Sequence, residues 1–402
     1  MKNSLELEIL IESVKVSLLG QSVEVLKELL IQEKTNWQRL EKLAIFHAIR
    51  PILFDAFQRA DFVNSLSQKL EERTRIQSIF NLATTLELHR VLALLEKQEV
   101  RVLPYKGVLF IRELYKNLPL RETHDLDLLV HPKDAQKALE ILLEDGYCFS
   151  INNPKQLNNA QIITEVLQTF DFIEVGLDKK TEMGLAIHID FHWHIKENVH
   201  DFKVNYDEFF IIKNEPKNKS ESKNSISEKT IFIMLLVHHG GRECWTRLKH
   251  FCDLIAFLKT TSLNKQELQQ IAKELEMERF FDIGLELYHN EFLNDTAANR
   301  DSKTVKKEII NYWEIAQLWL RLDLRIRFTF IYLKLLDRKM SFLNYISKNY
   351  RYFSTPNLIE NPRLITFPAQ YPFLNFASKV VTFIWKKTIL TIFYNLKTAK
   401  RH

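Results

Sequence analysis

Apolar positions recur at three- and four-residue spacing over residues 5–95, as in Leu26, Leu29 and Leu30 and again in Leu40, Leu43 and Phe46. That period lays one face of each helix on a core, so the block reads as consecutive helices interrupted only at Pro51. After the helix-like stretch LATTLELHRVLALLEKQ (82–98) the pattern changes. A short apolar run, EVRVLPY, leads into Lys106-Gly107, VLFIRELY resumes a helix, and a turn follows at Asn117-Leu118-Pro119. HDLDLLVHP (124–132) reads as a strand that stops at Pro132. PKDAQKALEILLEDGY then starts a helix with Pro132 near its first turn and ends it at Gly146. In AIHIDFHWHI (186–195) apolar and polar residues alternate strictly. This predicts a strand with Ile187, Ile189, Phe191, Trp193 and Ile195 on one face and the even-numbered residues on the other.

The fold class that follows is an α/β (α+β) core flanked by helices, in a mostly helical chain. Its expected parts are a helical region 1–97, the core 98–213, a polar linker or loop 214–229 (NEPKNKSESKNSISEK) and a helical region 230–350. Residues 351–402 bring Pro356, Pro362, Pro368 and Pro372, then a basic amphipathic end with Trp385, Lys386 and Lys387. Packing of that last helix on its neighbours is the simpler reading, and peripheral membrane contact through 378–402 the alternative.

Composition narrows the choice of chemistry. Only 8 glycines occur, where about 28 would be average for this length, which argues against turn-rich sandwiches and barrels. Neither G-x-G-x-x-G nor G-x-x-x-x-G-K-[ST] is present, so a dinucleotide fold or a P-loop has no anchor. A net charge of +5 does not by itself imply nucleic acid. Three cysteines without C-x-x-C fit a reducing, cytoplasmic setting. Glu6, Glu8 and Glu12 break the first apolar run, which is not expected to be a signal peptide, and no uncharged apolar run reaches 18 residues.

Candidate chemistry begins at Asp125-Leu126-Asp127. Side chains two apart on a strand share a face, about 6.5–7 Å apart at the backbone. Such carboxylates can converge on metal ions roughly 3.5–4 Å apart, the geometry of phosphoryl transfer. An ordinary strand end would also account for them. Asp190, on the polar face with His188, His192 and His194, is either a third carboxylate meeting the first two or part of a solvent-facing stripe. Lys106-Gly107 stands between a strand and a helix, where backbone can approach a phosphate closely. Arg121 binds phosphate or pairs with Asp125 or Glu122. Seven of the 13 histidines (His188, His192, His194, His200, His238, His239 and His250) fall within residues 188–250. H-x-H on a strand can seat one zinc, which would make a metal-dependent hydrolase instead. His238 and His239, ahead of Gly240-Gly241, are placed at a helix end, where a charged imidazole is favoured by the dipole.

In this order the pieces resemble the nucleotidyltransferase superfamily: a Gly-containing turn opening a helix, h-D-h-D-h on a strand, h-[DE]-h on a later strand. The closer resemblance is to a poorly characterised bacterial nucleotidyltransferase family with a K-G…Y…R…D-h-D-L-L-V signature. Here that signature reads Lys106-Gly107-Val108-Leu109-Phe110, Tyr115, Arg121 and Asp125-Leu126-Asp127-Leu128-Leu129-Val130. An upstream helical segment (Trp37, Leu40, Leu43, His47, Pro51) and Asp190-Phe191-His192-Trp193 downstream continue it, followed by His239, Arg247-Leu248 and Asp253. The turn is K-G where the superfamily has G-[GS], and the third carboxylate is Asp where Glu is more usual.

The resemblance implies a mixed sheet and a metal-dependent transfer of a nucleoside monophosphate from an NTP, with release of pyrophosphate. Asp125, Asp127 and Asp190 would be catalytic and metal-binding, with Mg²⁺ or Mn²⁺ as cofactor. Lys106, Gly107 and Arg121 would hold the nucleotide. His188, His192, His239, Arg247 and Asp253 would shape the pocket. The acceptor, whether small molecule, sugar or protein hydroxyl, is unidentified, and nucleic acid is the least expected partner. An inactive binding or regulatory scaffold of the same fold is the alternative from another class.

Overall fold

The computed structural model describes residues 3–151, 156–169, 172–180, 184–196, 202–210, 226–295, 302–315, 322–336, 339–354, 367–368, 370–382 and 385. Residues 214–225 of the polar stretch, His200, Pro356, Pro362 and the basic end from Lys386 lie outside the described residues. The chain opens with helices α1 (Leu5–Val14), α2 (Glu24–Leu30), α3 (Trp37–His47), α4 (Arg50–Arg59) and α5 (Ser65–Lys97). Ser4, Asn36 and Asn64 start α1, α3 and α5 by accepting first-turn N–H groups on their side chains. The helical run breaks just ahead of Pro51, where Ala48 is left-handed, and Pro51 sits in the first turn of α4, where its missing N–H costs nothing; it is not the only interruption, since further breaks separate α2 from α3 and α4 from α5.

Five strands follow, β1 (Val102–Pro104), β2 (Leu126–Val130), β3 (Cys148–Phe149), β4 (Glu174–Lys180) and β5 (Ala186–His192), with α6 (Gly107–Phe110), α7 (Ala135–Glu144) and α8 (Asn159–Gln168) between them. They form one mixed sheet in the order β1-β2-β5-β4-β3, in which β2 and β5 are the parallel pair. The helix after Pro132 ends as its sequence predicts, with Gly146 in the left-handed region. Helices α9 (Tyr206–Phe209), α10 (Glu228–Leu235), α11 (Leu248–Thr260), α12 (Lys265–Glu274), α13 (Glu278–Leu287), α14 (Lys303–Trp313), α15 (Leu322–Leu335) and α16 (Lys339–Ser354) follow, and residues 372–382 are helical as well. No helix among the described residues is long and apolar enough to cross a membrane.

Alternation divides the sheet between two cores. Leu126, Leu128, Val130, Ile187, Ile189 and Phe191 pack with α7, α8 and the end of α5. The opposite face contributes Leu103, Tyr105 and Leu129 to a larger core built from the helices before and after the sheet. Leu7 and Leu10 of α1, Leu43 of α3, Phe251 of α11 and Trp313 of α14 all belong to it. Polar ties cross the same seam. Arg39 bridges Glu6 and Glu314, and buried His47 places Nε2 3.0 Å from the Trp313 carbonyl and Nδ1 3.1 Å from the Leu248 N–H. The Leu248 N–H can only donate, so His47 accepts at Nδ1 and carries its proton on Nε2.

Two expectations are corrected. The strand 186–195 stops at His192, because the Trp193 and His194 N–H groups both turn to the Ile173 carbonyl; Ile195 then enters the opposite core from Trp193. The helix of His238 and His239 does not end at the glycines but runs on as a wide turn to Arg242. His239 is fully buried there, and burial lowers its pKa rather than favouring a charged imidazole.

Candidate active site

The polar face of β5 meets the polar residues of its two neighbours. Register places Asp127 of β2 beside Asp190 of β5, and Asp190 in turn beside Gly176 of β4. One step along, Leu129, His192 and Glu174 stand in line, and His188 faces Asp178. Asp125 immediately precedes β2, so the D-x-D carboxylates straddle the strand's first residue. Parallel pairing makes this possible: β2 and β5 both enter the site from the same end.

The carboxylates are crowded but not equivalent. Asp127 is buried, with Lys106 Nζ 2.9 Å and His192 Nε2 3.2 Å from its Oδ1. Burial alone would raise its pKa, but the charges of Lys106 and His192 outweigh that and hold it at about 2. Among the described residues Asp125 has no ion pair, although the Lys106 and Lys249 charges act on it. Burial, then the charges of Asp127 and Asp190, push it up to about 6. His188 donates to both sides, with Nδ1 2.6 Å from Asp178 and Nε2 3.1 Å from Asp190, and those bonds raise its pKa to about 9. Gly176 makes room for that ring, since a Cβ there would stand 2.7 Å from His188 Cε1. His192 is fully buried, and its Nδ1 lies 2.8 Å from Glu174 in a charge contact without hydrogen-bond alignment. The Glu174 charge raises the His192 pKa against burial.

The Lys106-Gly107 turn closes over this row. Both residues have positive φ, which is ordinary for Gly and strained for Lys. A Cβ on Gly107 would lie 3.1 Å from Asp127 Oδ2, so glycine permits the backbone's approach to the carboxylate. Arg121 pairs with neither Asp125 nor Glu122. Its guanidinium is buried, clamps both oxygens of Asp253 at 2.8 and 2.9 Å, and donates to the Gly107 carbonyl at 3.2 Å. Tyr115 and His239 complete the shell of Asp253 at 2.7 and 2.8 Å. Glu122 is taken by Arg50. Arg247 lays its guanidinium over the Phe46 ring. His194 packs on Tyr206, so the H-x-H pair does not converge.

Asp127, Asp190 and His192 each bring one ligand atom within 4.8 Å of the others, a spacing that suits a single ion. Two carboxylate oxygens and an imidazole nitrogen form a donor set open to a divalent cation, and a positive charge bound there would offset the repulsion that Asp127 and Asp190 exert on Asp125. Three further residues of the site, Glu174, Arg242 and Lys249, carry no motif in the sequence that singles them out. Arg242 reaches Glu174 at 3.4 Å. The alternation Glu174-Val175-Gly176-Leu177-Asp178 marks Glu174 as facing the site once β4 is recognised, and Lys249 lies one helical turn before Asp253.

A family model described as an uncharacterised nucleotidyltransferase matches residues 33–293, and the chain belongs to that family. No curated protein and no solved structure matches it.

Proposed function

We propose that this nucleotidyltransferase-family protein transfers a nucleoside monophosphate from a nucleoside triphosphate to an acceptor hydroxyl. The observation that carries the reading is the register of β2 and β5, which sets Asp127 beside Asp190 with Asp125 at the same strand end. In this reading the acceptor oxygen attacks the α-phosphorus, the bond to the β-phosphate oxygen breaks, and pyrophosphate leaves. The hydroxyl proton passes to Asp190, the more exposed of the Asp127–Asp190 pair. Asp125, Asp127 and Asp190 would hold Mg²⁺ or Mn²⁺, which when bound neutralises phosphate charge and orients the donor. Lys106 contributes a point charge at the phosphates, and the backbone at Gly107 approaches them without a side chain in the way. Arg121, already engaged by Asp253, holds the turn in place through the Gly107 carbonyl. His192 and Glu174 steady Asp127 from behind. The acceptor is a small molecule, a sugar or a protein hydroxyl.

The test is Mg²⁺-dependent thermal stabilisation by ATP, GTP, CTP and UTP in turn, on the wild type, Asp127→Asn and Asp190→Asn. A ligand at 100 times its dissociation constant stabilises the native state by about 2.7 kcal/mol. One triphosphate should raise the wild-type melting temperature in Mg²⁺ and fail to do so in either variant. Binding by both variants, or by none of the three proteins, would reject the transferase; binding without Mg²⁺ would favour the scaffold.

A further inference from the structure

The walls of the site are lined with cations that already have partners. Lys106 is committed to Asp127, Arg121 to Asp253, Arg242 to Glu174, and His188 to Asp178 and Asp190. Lys249 is different. It is the second residue of α11, partly buried, and among the described residues it has no hydrogen-bond or ion-pair partner. The carboxylate best placed to neutralise it is Asp253, four residues on and so on the same helical face. Both oxygens of Asp253 are spent on Arg121, Tyr115 and His239. The ammonium therefore stands among Arg121, Asp253 and Asp125 without a counter-ion of its own, and burial followed by the Arg121 charge lowers its pKa. An ammonium that is partly buried and has no counter-ion of its own is favourably placed to meet an incoming anion. Asp125, whose charge it feels, is already repelled by two neighbouring carboxylates and would be drawn to a metal.

We propose that Lys249 contacts the phosphate oxygens of the donor triphosphate from the first turn of α11, one turn before the Asp253 that anchors Arg121 and, through it, the Gly107 turn. This deepens the transferase reading and rests on it. Lys106 and Lys249 then both hold the polyphosphate, one from the sheet and one from the helices. The rival role is purely internal, with Lys249 serving only to offset Asp125.

Calorimetric titration of the full chain in Mg²⁺ separates the two. The probes are whichever of ATP, GTP, CTP and UTP the wild type binds, and the matching di- and monophosphates. Lys249→Met should weaken the triphosphate about 10-fold or more and leave the monophosphate little changed, because the lost charge-assisted bonds are to the outer phosphates. Lys249→Arg should keep most of the affinity. Removing a poorly paired ammonium should leave the melting temperature equal or higher, and Lys249→Gln repeats the test should the methionine variant not fold. Equal weakening of mono- and triphosphate, or no weakening, overturns the assignment while wild-type binding leaves the transferase standing. A wild type that binds no triphosphate overturns both.

Discussion

Asp125 bears the cost of the site's charge. Its carboxyl titrates at about 6 in the fold, against roughly 3.9 in an unfolded chain, so the native state binds more protons between those values. Stability contributed by this residue is therefore greatest at low pH and falls as pH rises through that window. Asp125→Asn should melt higher than the wild type at pH 7–8 in EDTA and lose that stretch of pH dependence, while no longer responding to triphosphate and Mg²⁺. A melting temperature at or below wild type would mean that the three aspartates do not repel one another. The residues themselves are legible to different degrees. Strict alternation around Asp190, and the pairing of two aspartates across one leucine, mark three carboxylates from the amino-acid order alone. Glu174 is hidden because Gly176 and two terminal lysines dilute the strand pattern of β4. Arg121 is visible as a cation but not as a clamp, since its partner Asp253 lies 132 residues away.

Among the elements, α5 runs against the usual pattern. Over its middle the inward face carries Gln77, Asn81 and Thr84, while Ile76, Ile79, Leu82 and Leu86 point outward. The inward polar groups hold the loop that leads to Asp125. Asn81 donates to the carbonyls of Leu118 and Arg121 and accepts from Gln77 and Thr123, and Gln77 also donates to the Thr123 carbonyl. Asn81→Leu would strand several of these buried groups, at about 1–3 kcal/mol each. It should lower the melting temperature and, in a transferase assay, reduce kcat more than KM, since it displaces Asp125 without touching the donor's base. Unchanged kcat in a folded variant would show that the loop is held by other contacts. The spacing in this region reads as a helix, but it does not say which face turns inward, because that depends on carbonyls supplied by a later loop.

Across the whole molecule, the helices before and after the sheet form one core rather than two, although they stand at opposite ends of the sequence. Leu7, Ile9, Leu10, Ile11 and Val14 of α1 are all nearly or fully buried in it. At about 1.5–3 kcal/mol each, burying these five side chains contributes about 7–15 kcal/mol. That equals the net stability of a typical domain, roughly 5–15 kcal/mol. A fragment limited to residues 33–293, the span of the family match, should therefore fail to show a cooperative thermal transition that the full chain shows. A sharp transition in the fragment would mean that α1 only decorates the fold. Sequence periodicity announces the helices at both ends but not their union, which is written in complementary surfaces rather than in spacing. The same seam sets a timetable for biosynthesis. Ser4 bonds to Glu314, 310 positions downstream, and at about 5–20 residues per second the ribosome needs on the order of 15–60 s to deliver that partner. α1 meets α2, α3 and α4 early, but its contacts with residues 288–292 and the Glu314 tie come only near the end of that interval, so part of the seam stays open while most of the polypeptide is made.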